Sequence, residues 1–236
     1  MNESVLSWSN RRPVAFALAG VLLSTSIQPL PAVAIPGEIA GRAEVIDGDT
    51  LDIDGTHIRL EGIDAPELAQ TCARSFIGSW RCGEAAAREL ERLTAGRSLT
   101  CRSRGADKYG RLLGVCAVDG LDINAEMVRR GLAWAFVKYS KSYVAVEEAA
   151  RAAKAGIWQA HSEPAWVFRE KRWADAETEA PDGCAIKGNI TGHGRIYHAP
   201  WSVWYGRVRV ESAKGERWFC SEAEALAAGW RPALTH

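Results

Sequence analysis

Apolar and polar residues alternate over two neighbouring stretches near the start of the chain, and this pattern predicts a small antiparallel sheet. Residues 45–53 alternate in this way, and the alternation resumes over residues 56–60 after the pair Asp54–Gly55. An Asp-Gly pair between two alternating runs is a strong signal for a two-residue hairpin turn. Since residues at even separation share one face of a strand, Asp49 and Arg59 are predicted to reach one pocket.

Helical patterns follow this predicted hairpin. Residues 83–95 combine strong helix formers with an apolar stripe and end before Gly96, which is a typical stop signal. Asn124 is the predicted N-cap of a second helix and Ser142 that of a third. Strands followed by helices predict an α+β fold.

A second alternating pair, residues 98–104 and 111–118, predicts another hairpin with a basic turn. One acidic residue, Asp107, lies among five basic ones: Arg97, Arg102, Arg104, Lys108 and Arg111. This pattern fits two interpretations, a solvated hairpin tip or a local phosphate-binding patch. A planar guanidinium suits bidentate contact with phosphate, but a solvated tip is the favoured interpretation for Arg97, Arg102 and Arg104.

Three carboxylates stand close to the first hairpin in sequence. Asp49 lies near the start of one of its strands, and Asp64 and Glu67 follow the hairpin in a turn that contains Pro66. Such a cluster offers the hard oxygen ligands that Ca²⁺ prefers, about 6 to 8 in all when backbone carbonyls and water are included. The alternative is that these aspartates are ordinary turn residues, which spacing alone leaves open.

Residues 1–34 have the features of a signal peptide. Arg11 and Arg12 precede an apolar run over residues 13–23, which is too short to span a bilayer, and residues 32–34 read Ala-Val-Ala, a typical cleavage site. The alternative is an uncleaved anchor, but Pro29 and Pro31 favour cleavage. We expect a mature protein that begins near Ile35, is exported to the periplasm or beyond, and has no membrane contact.

Composition and charge are those of an ordinary globular protein. The 236 residues are 47% hydrophobic and 25% charged, with 29 basic and 29 acidic side chains. Loss of Arg11, Arg12 and Glu3 with the leader would leave 27 basic and 28 acidic residues. A nearly neutral protein has no global attraction for nucleic acid, so phosphate binding would have to be local.

An even number of cysteines agrees with export. Six cysteines permit 15 pairings, and nearness along the chain selects Cys72 with Cys82, Cys101 with Cys116, and Cys184 with Cys220. Such disulfides would stabilise loops and strands and take no part in chemistry.

The last part of the chain is predicted to be a linker, residues 159–183, and a small module, residues 184–236. With about 50 residues its core would be marginal, so a disulfide is expected. A Cys2His2 zinc site of Cys184, His193, His198 and Cys220 is the alternative, but these cysteines lack the short spacing of zinc modules.

Three sequence blocks resemble the staphylococcal nuclease (thermonuclease) family. Residues 46–50 read IDGDT, residues 59–67 read RLEGIDAPE and residues 107–111 read DKYGR, in an order and with gaps similar to those of the family. The similarity extends over residues 41–158 and implies one nuclease domain, residues 35–158. It implies a five-stranded OB-type β-barrel with packed helices, a fold that commonly binds nucleic acid.

The resemblance also implies roles for individual residues. Asp49 and Asp64 match the family's Ca²⁺ ligands, and the backbone carbonyl of Ala65 matches a third ligand, although the family's best-known member has threonine there. Glu67 matches the carboxylate that activates the attacking water. Arg59 and Arg111 match the two arginines that hold the phosphate.

Other positions match substrate contacts. Lys108 and Tyr109 fit contacts near the phosphate or a base, and Tyr139 aligns with a tyrosine that meets the nucleotide. The family's other tyrosine in that region aligns with Val137. Because aromatic stacking contributes roughly 1 to 3 kcal/mol per base, this loss affects affinity and base preference more than chemistry.

The expected function is therefore an exported Ca²⁺-dependent nuclease that hydrolyses DNA and RNA with little sequence specificity and acts as a monomer. The C-terminal module resembles the sunset domain of some exported nucleases, and contact with an envelope polymer is a further expectation for it. The alternative is a catalytically silent OB-fold module that only binds nucleic acid, since fold does not fix activity.

Overall fold

The computed structural model describes residues 37–107 and 111–233. The predicted signal peptide, residues 1–34, and the predicted substrate contacts Lys108 and Tyr109 lie outside the described residues. The boundaries predicted for the leader, the nuclease domain, the linker and the C-terminal module remain predictions.

Strands and helices alternate irregularly along the described chain, as expected for an α+β fold. The described strands are β1 (Glu38–Gly41), β2 (Glu44–Val45), β3 (Thr50–Ile53), β4 (Thr56–Leu60), β5 (Ile63–Asp64), β6 (Cys72–Ala73), β7 (Ser79–Trp80), β8 (Leu99–Ala106), β9 (Leu112–Val118), β10 (Leu121–Asp122), β11 (Trp134–Ala135), β12 (Ile186–Thr191), β13 (Gly194–His198), β14 (Arg217–Phe219) and β15 (Arg231–Pro232). The described α-helices are α1 (Cys82–Thr94), α2 (Ile123–Arg129), α3 (Val144–Ala152), α4 (Ala165–Glu177) and α5 (Glu222–Ala227).

The main sheet has the strand order β1-β8-β9-β4-β3-β2, with β10 paired to β9. Its β3–β4 hairpin turns at Asp54 and Gly55, both of which have positive φ, as the favoured two-residue turn requires. Strand β4 pairs with β9 in parallel, whereas the other pairs of this sheet are antiparallel. The parallel pair joins the first hairpin to the second.

The main sheet is open in the part of the chain that the structure describes. Its path starts at β1 and ends at β2, and no strand pairing connects these two edges. Strand β5 pairs instead with β11 in a separate two-stranded sheet. The OB-like arrangement of strands and helices is present, and the predicted five-stranded barrel remains a prediction.

One face of this sheet forms the core with α1. Leu51, Ile53, Ile58 and Leu60 are fully buried, as the alternation in β3 and β4 predicts, and they belong to the same cluster as Leu90 of α1. Complete burial of such a side chain contributes about 1.5 to 3 kcal/mol. The opposite face of β3 and β4 is thereby left to polar residues.

Two predicted helix caps are wrong by one or two residues. Asp122, not Asn124, caps α2, and its side chain accepts a hydrogen bond from the backbone amide of Ala125. Asn124 is fully buried, and its side chain joins α2 to the main sheet through backbone groups of Cys116, Glu61 and Gly114. Helix α3 starts after Tyr143, so Ser142 is one residue too early to cap it.

The segment predicted as a linker contains helix α4. Residues 165–177 include no glycine or proline, and Pro164 precedes the first turn, where proline is compatible with a helix start. Few apolar positions follow the helical period there, which explains why the sequence pattern gave no helix. Trp166 of α4 stacks on Phe136, with ring centroids 5.7 Å apart.

The C-terminal region has its own sheet, of order β14-β12-β13-β15, with α5 beside it. Ile186, Tyr197, Phe219, Ala225 and Trp230 form its core. The aromatic residues Tyr197, Phe219 and Trp230 therefore pack inward.

Three disulfides connect Cys72 to Cys82, Cys101 to Cys116 and Cys184 to Cys220. The second joins residues directly opposite each other on β8 and β9. Because Cys184 and Cys220 are bonded to each other, the Cys2His2 zinc alternative is wrong. None of the helices within residues 37–107 and 111–233 has the length and apolar character needed to cross a membrane.

The C-terminal sheet contains a buried histidine that should make the protein sensitive to acid. Burial, with a smaller effect of Lys187, lowers the pKa of His198 to about 4, and its Nε2 lies 3.1 Å from Asn189 Oδ1. An unfolded histidine has a pKa near 6.5, so the unfolded state binds the extra proton as pH falls from about 6.5 to 4. We expect this residue to lower the free energy of unfolding by roughly 2 to 3 kcal/mol between pH 7 and pH 4.5.

Urea unfolding at the two pH values should therefore show a smaller loss of stability in His198→Gln than in the wild type. His193→Gln, at an exposed turn of the same sheet, is the matched control and should keep the wild-type dependence. Equal pH dependence in wild type and His198→Gln would contradict the expectation.

Candidate active site

The polar face beside the first hairpin holds Asp49 and Arg59. Asp49 lies just before β3 and is 3% exposed, and Arg59 lies on β4 opposite Thr50. The Nη1 atom of Arg59 donates to Asp49 Oδ1 over 2.6 Å. The backbone amide of Ala65 donates to Asp49 Oδ2 over 2.8 Å. The strand register therefore brings together the first two predicted site residues.

Arg59 also connects Asp49 to Asp64. Its Nη2 atom donates to Asp64 Oδ1 over 2.6 Å, and Asp64 is completely buried at the end of β5. Although burial acts to lower it, the two aspartates raise the pKa of Arg59 above its ordinary value. A bridging guanidinium fixes the spacing of the two carboxylates.

Glu67 is positioned by its backbone. Its amide donates to Gln70 Oε1 over 3.2 Å, and the Gln70 amide donates to the Glu67 carbonyl over 2.7 Å. A Cβ on Gly83, at the start of α1, would lie 1.7 Å from that carbonyl oxygen. Glycine at position 83 is thus required for α1 to pack against the turn that carries Glu67.

A third arginine, which no pattern in the sequence indicates, completes the cluster. Arg169 of α4 donates to both oxygens of Asp64, over 3.0 and 2.8 Å, and to Glu67 Oε1 over 2.6 Å. Its side chain is 21% exposed. It lies in the region predicted as a linker, 105 residues after Asp64, and no local pattern indicates such a contact.

Burial controls the protonation of two carboxylates. It raises the pKa of Asp49 to about 7, against the opposing effect of Arg59. It also raises the pKa of Glu67 to about 8, against the opposing effect of Arg169. A carboxylate with a pKa near neutrality is suited to accept a proton from water.

Arg111 lies at the start of the second hairpin's return strand and is held by Asp107. Its Nε donates to Asp107 Oδ2 over 2.8 Å, and its side chain is 15% exposed. Burial acts to lower the pKa of Arg111, but Glu222 and Asp107 raise it, while Arg59 is close enough to oppose them. Arg111 precedes β9, on which Leu113 lies opposite Arg59 of β4. That these two arginines bind phosphate remains a prediction.

The C-terminal region reaches the same neighbourhood. Glu222 of α5 accepts a hydrogen bond from the Tyr197 hydroxyl over 3.0 Å, and both residues interact electrostatically with Arg111. No pattern in the sequence predicts that this module lies beside the nuclease residues.

Tyr139 and Val137 lie on the surface, 65% and 60% exposed. The Tyr139 ring packs edge-on against Phe136, with centroids 5.1 Å apart. Lys138 Nζ lies 5.7 Å from the centre of the same ring.

The cluster has suitable chemistry for Ca²⁺ but not the arrangement of a ready metal site. Asp49, Asp64 and the carbonyl of Ala65 offer hard oxygen ligands. Yet no group of three or more His, Cys, Asp or Glu side chains among the residues described is placed to hold a metal ion. In this structure the carboxylate oxygens face Arg59 and Arg169 instead.

Comparison with known proteins identifies the family. The profile described as "Staphylococcal nuclease homologue" matches residues 57–160, a range that includes Arg59, Asp64, Glu67 and Arg111 but neither Asp49 nor Arg169.

Three relatives illustrate the similarity. "Succinoglycan biosynthesis protein ExoI" of Rhizobium meliloti (strain 1021) is 38% identical over 137 residues, which cover 57% of this chain and 72% of the relative. An "Uncharacterized endonuclease" of Escherichia coli O157:H7 is 35% identical over 57% of this chain and 88% of its own length. "Micrococcal nuclease" of Shigella flexneri is 31% identical over 58% of this chain and 85% of the relative. The chain therefore belongs to the staphylococcal nuclease homologue family.

Proposed function

We propose that this protein is an exported, Ca²⁺-dependent nuclease that hydrolyses DNA and RNA with little sequence specificity. That it is a nuclease, and so a phosphodiester hydrolase, follows from its family and from relatives named as an endonuclease and a micrococcal nuclease. The observation that carries the proposal is the cluster in which Arg59 bridges Asp49 and Asp64 beside Glu67.

Each residue of the cluster has a role in phosphodiester hydrolysis. Glu67 accepts a proton from the water that attacks phosphorus, for which its raised pKa is suited. The bond from phosphorus to the 5′ oxygen then breaks, and that oxygen leaves with a proton taken from solvent, so that a 3′-phosphate and a 5′-hydroxyl are formed. Arg59 and Arg111 donate hydrogen bonds to the phosphate oxygens and stabilise the negative charge that develops in the transition state. When bound by Asp49, Asp64 and the Ala65 carbonyl, Ca²⁺ would supply further positive charge to polarise the phosphate.

Substrate binding outside the cluster falls to exposed groups. Tyr139 is placed to stack on a base, and Lys108 and Tyr109 are proposed to contact the phosphate or a neighbouring base. Because stacking does not depend on base identity, this arrangement fits a nuclease with little sequence preference.

The silent binding module is the disfavoured alternative. A module that only binds nucleic acid has no need to bury Asp49 and Asp64 around one guanidinium, because buried charges are costly unless they are paired. An electrostatic patch on the surface would serve binding alone.

The C-terminal region, residues 184–233 of the described chain, is proposed to be a module of the sunset type that contacts an envelope polymer. Support for a separate module comes from its own sheet, core and disulfide. We propose that the exported protein is a monomer in the periplasm or outside the cell.

Substitutions in the cluster should remove hydrolysis of single-stranded DNA. Arg59→Ala is expected to lower the rate by about 10²- to 10³-fold, since removal of one donor to a developing charge has this effect. Asp49→Asn should abolish the Ca²⁺-dependent reaction, and a chelator should do the same to the wild type. Arg88→Ala, on the exposed side of α1, is the matched control and should keep full activity.

The rates would be followed by the release of acid-soluble nucleotides, with circular dichroism as a check on folding. If a folded wild type bound single-stranded DNA but did not cut it in Ca²⁺, the nuclease assignment would fail and the binding module would be the better reading.

Export should yield a protein that begins at Ile35. Signal peptidases require small residues before the cleaved bond, so Ala34→Asp should leave the leader attached and the protein associated with the membrane. Intact mass and N-terminal sequencing of cell fractions would measure this. Recovery of the full-length wild type in the cytoplasm would exclude the proposed export.

A further inference from the structure

Arg169 binds two carboxylates of the cluster, one of which, Asp64, is a proposed Ca²⁺ ligand. Its Nη1 atom donates to Asp64 Oδ1 and Glu67 Oε1, and its Nη2 atom donates to Asp64 Oδ2, with all three distances between 2.6 and 3.0 Å. Asp64 Oδ1 also accepts from Arg59. Both oxygens of the buried carboxylate are thus directed at guanidinium groups.

Residues before and after Arg169 in the chain make contacts that hold helix α4 beside the cluster. Before it, Trp166 stacks on Phe136, and the carbonyl of Glu163 accepts a hydrogen bond from Gln70 Nε2 over 2.7 Å. After it, the ring of Trp173 lies 6.3 Å from that of Trp201 in the C-terminal region. The position of Arg169 is therefore set by packing of the helix, and it is not a chance contact of a loose surface side chain.

Either a guanidinium or Ca²⁺ can compensate the negative charge of the buried carboxylates. Burying Asp49, Asp64 and Glu67 without positive partners would be strongly unfavourable, and Arg59 supplies only one compensating charge. Ca²⁺ binds carboxylate oxygens at about 2.3 to 2.6 Å, so it cannot enter beside Asp64 while both Arg169 nitrogens remain on those oxygens. Two positive groups at such short range would also repel each other strongly.

We propose that Arg169 is an internal competitor for the cation site, and that it must leave Asp64 when Ca²⁺ binds. This inference rests on the proposed Ca²⁺-dependent function of the same cluster. It assigns to helix α4, which lies beyond the residues matched by the family, control over the Ca²⁺ concentration at which the enzyme works. The displacement lowers the apparent affinity, because only the fraction of molecules with Arg169 withdrawn can bind the ion.

Calorimetric titration of Ca²⁺ into the full mature protein tests this directly. Arg169→Ala should bind Ca²⁺ about tenfold more tightly than the wild type, or tighter still, because the competing group is gone. Arg169→Lys keeps the charge but loses the bidentate contact, so its Ca²⁺ affinity should lie between those of the wild type and Arg169→Ala. Arg172→Ala is the matched control, because this arginine is exposed on the same helix and lies over the ring of Phe168.

A second measurement separates competition from loss of stability. Without Ca²⁺, Arg169→Ala should melt at a lower temperature than the wild type, and added Ca²⁺ should raise its melting temperature by more. In the wild type, Ca²⁺ should increase hydrogen exchange in α4 as Arg169 is released. A purely structural arginine would give no such increase.

The outcomes are distinct. If Arg169→Ala binds Ca²⁺ as weakly as the wild type, or more weakly, while the wild type still cuts DNA in a Ca²⁺-dependent way, the inference is wrong and the proposed function stands. If neither protein binds Ca²⁺ and the wild type cuts no DNA, both fail. Binding by Arg169→Ala alone, or tighter binding by it with faster exchange in wild-type α4, supports the competition.

Discussion

The organisation of this protein depends on one constraint, which is that three carboxylates are kept away from water and must have positive partners. Asp49 and Asp64 are almost fully buried, and Glu67 is largely so. Leaving such groups unpaired would cost several kcal/mol each. The guanidinium groups of Arg59 and Arg169 meet this requirement within the described chain. These ion pairs stabilise the fold. They also leave a set of acidic oxygens at which one positive partner can replace another.

This constraint ties together elements that are distant in sequence. The main sheet supplies Asp49 and Arg59, the short sheet of β5 and β11 supplies Asp64, and the turn packed under α1 at Gly83 supplies Glu67. Helix α4 then brings its arginine from outside the family-matched range. The cluster is therefore a property of the whole described chain, whereas the family profile accounts for most of its carboxylates and for two of its arginines.

The sequence predicted those parts of the site that depend on local geometry. The two-residue period of strands placed Asp49 and Arg59 on one face, and the Asp-Gly turn set the register that makes them meet. It missed what depends on long-range packing. Asn124 has the chemistry of a cap, but its amide satisfies buried backbone groups of the sheet, so Asp122 caps α2 instead. Arg169 was missed for the same reason, since its partners lie more than 100 residues earlier.

Arg59 and Arg169 bind the same carboxylate but differ in what their departure would change. Arg59 lies on a strand that is paired on both sides, so its backbone cannot move without breaking the main sheet. Arg169 lies on a helix that is held by side-chain packing of Trp166, Trp173 and the buried Ala165 and belongs to no sheet. Packed helices can slide by small amounts in conformational changes, whereas the hydrogen bonds of a central strand must be broken together. The fixed arginine is therefore suited to hold phosphate through the reaction, and the arginine on the helix is the one suited to exchange with a cation.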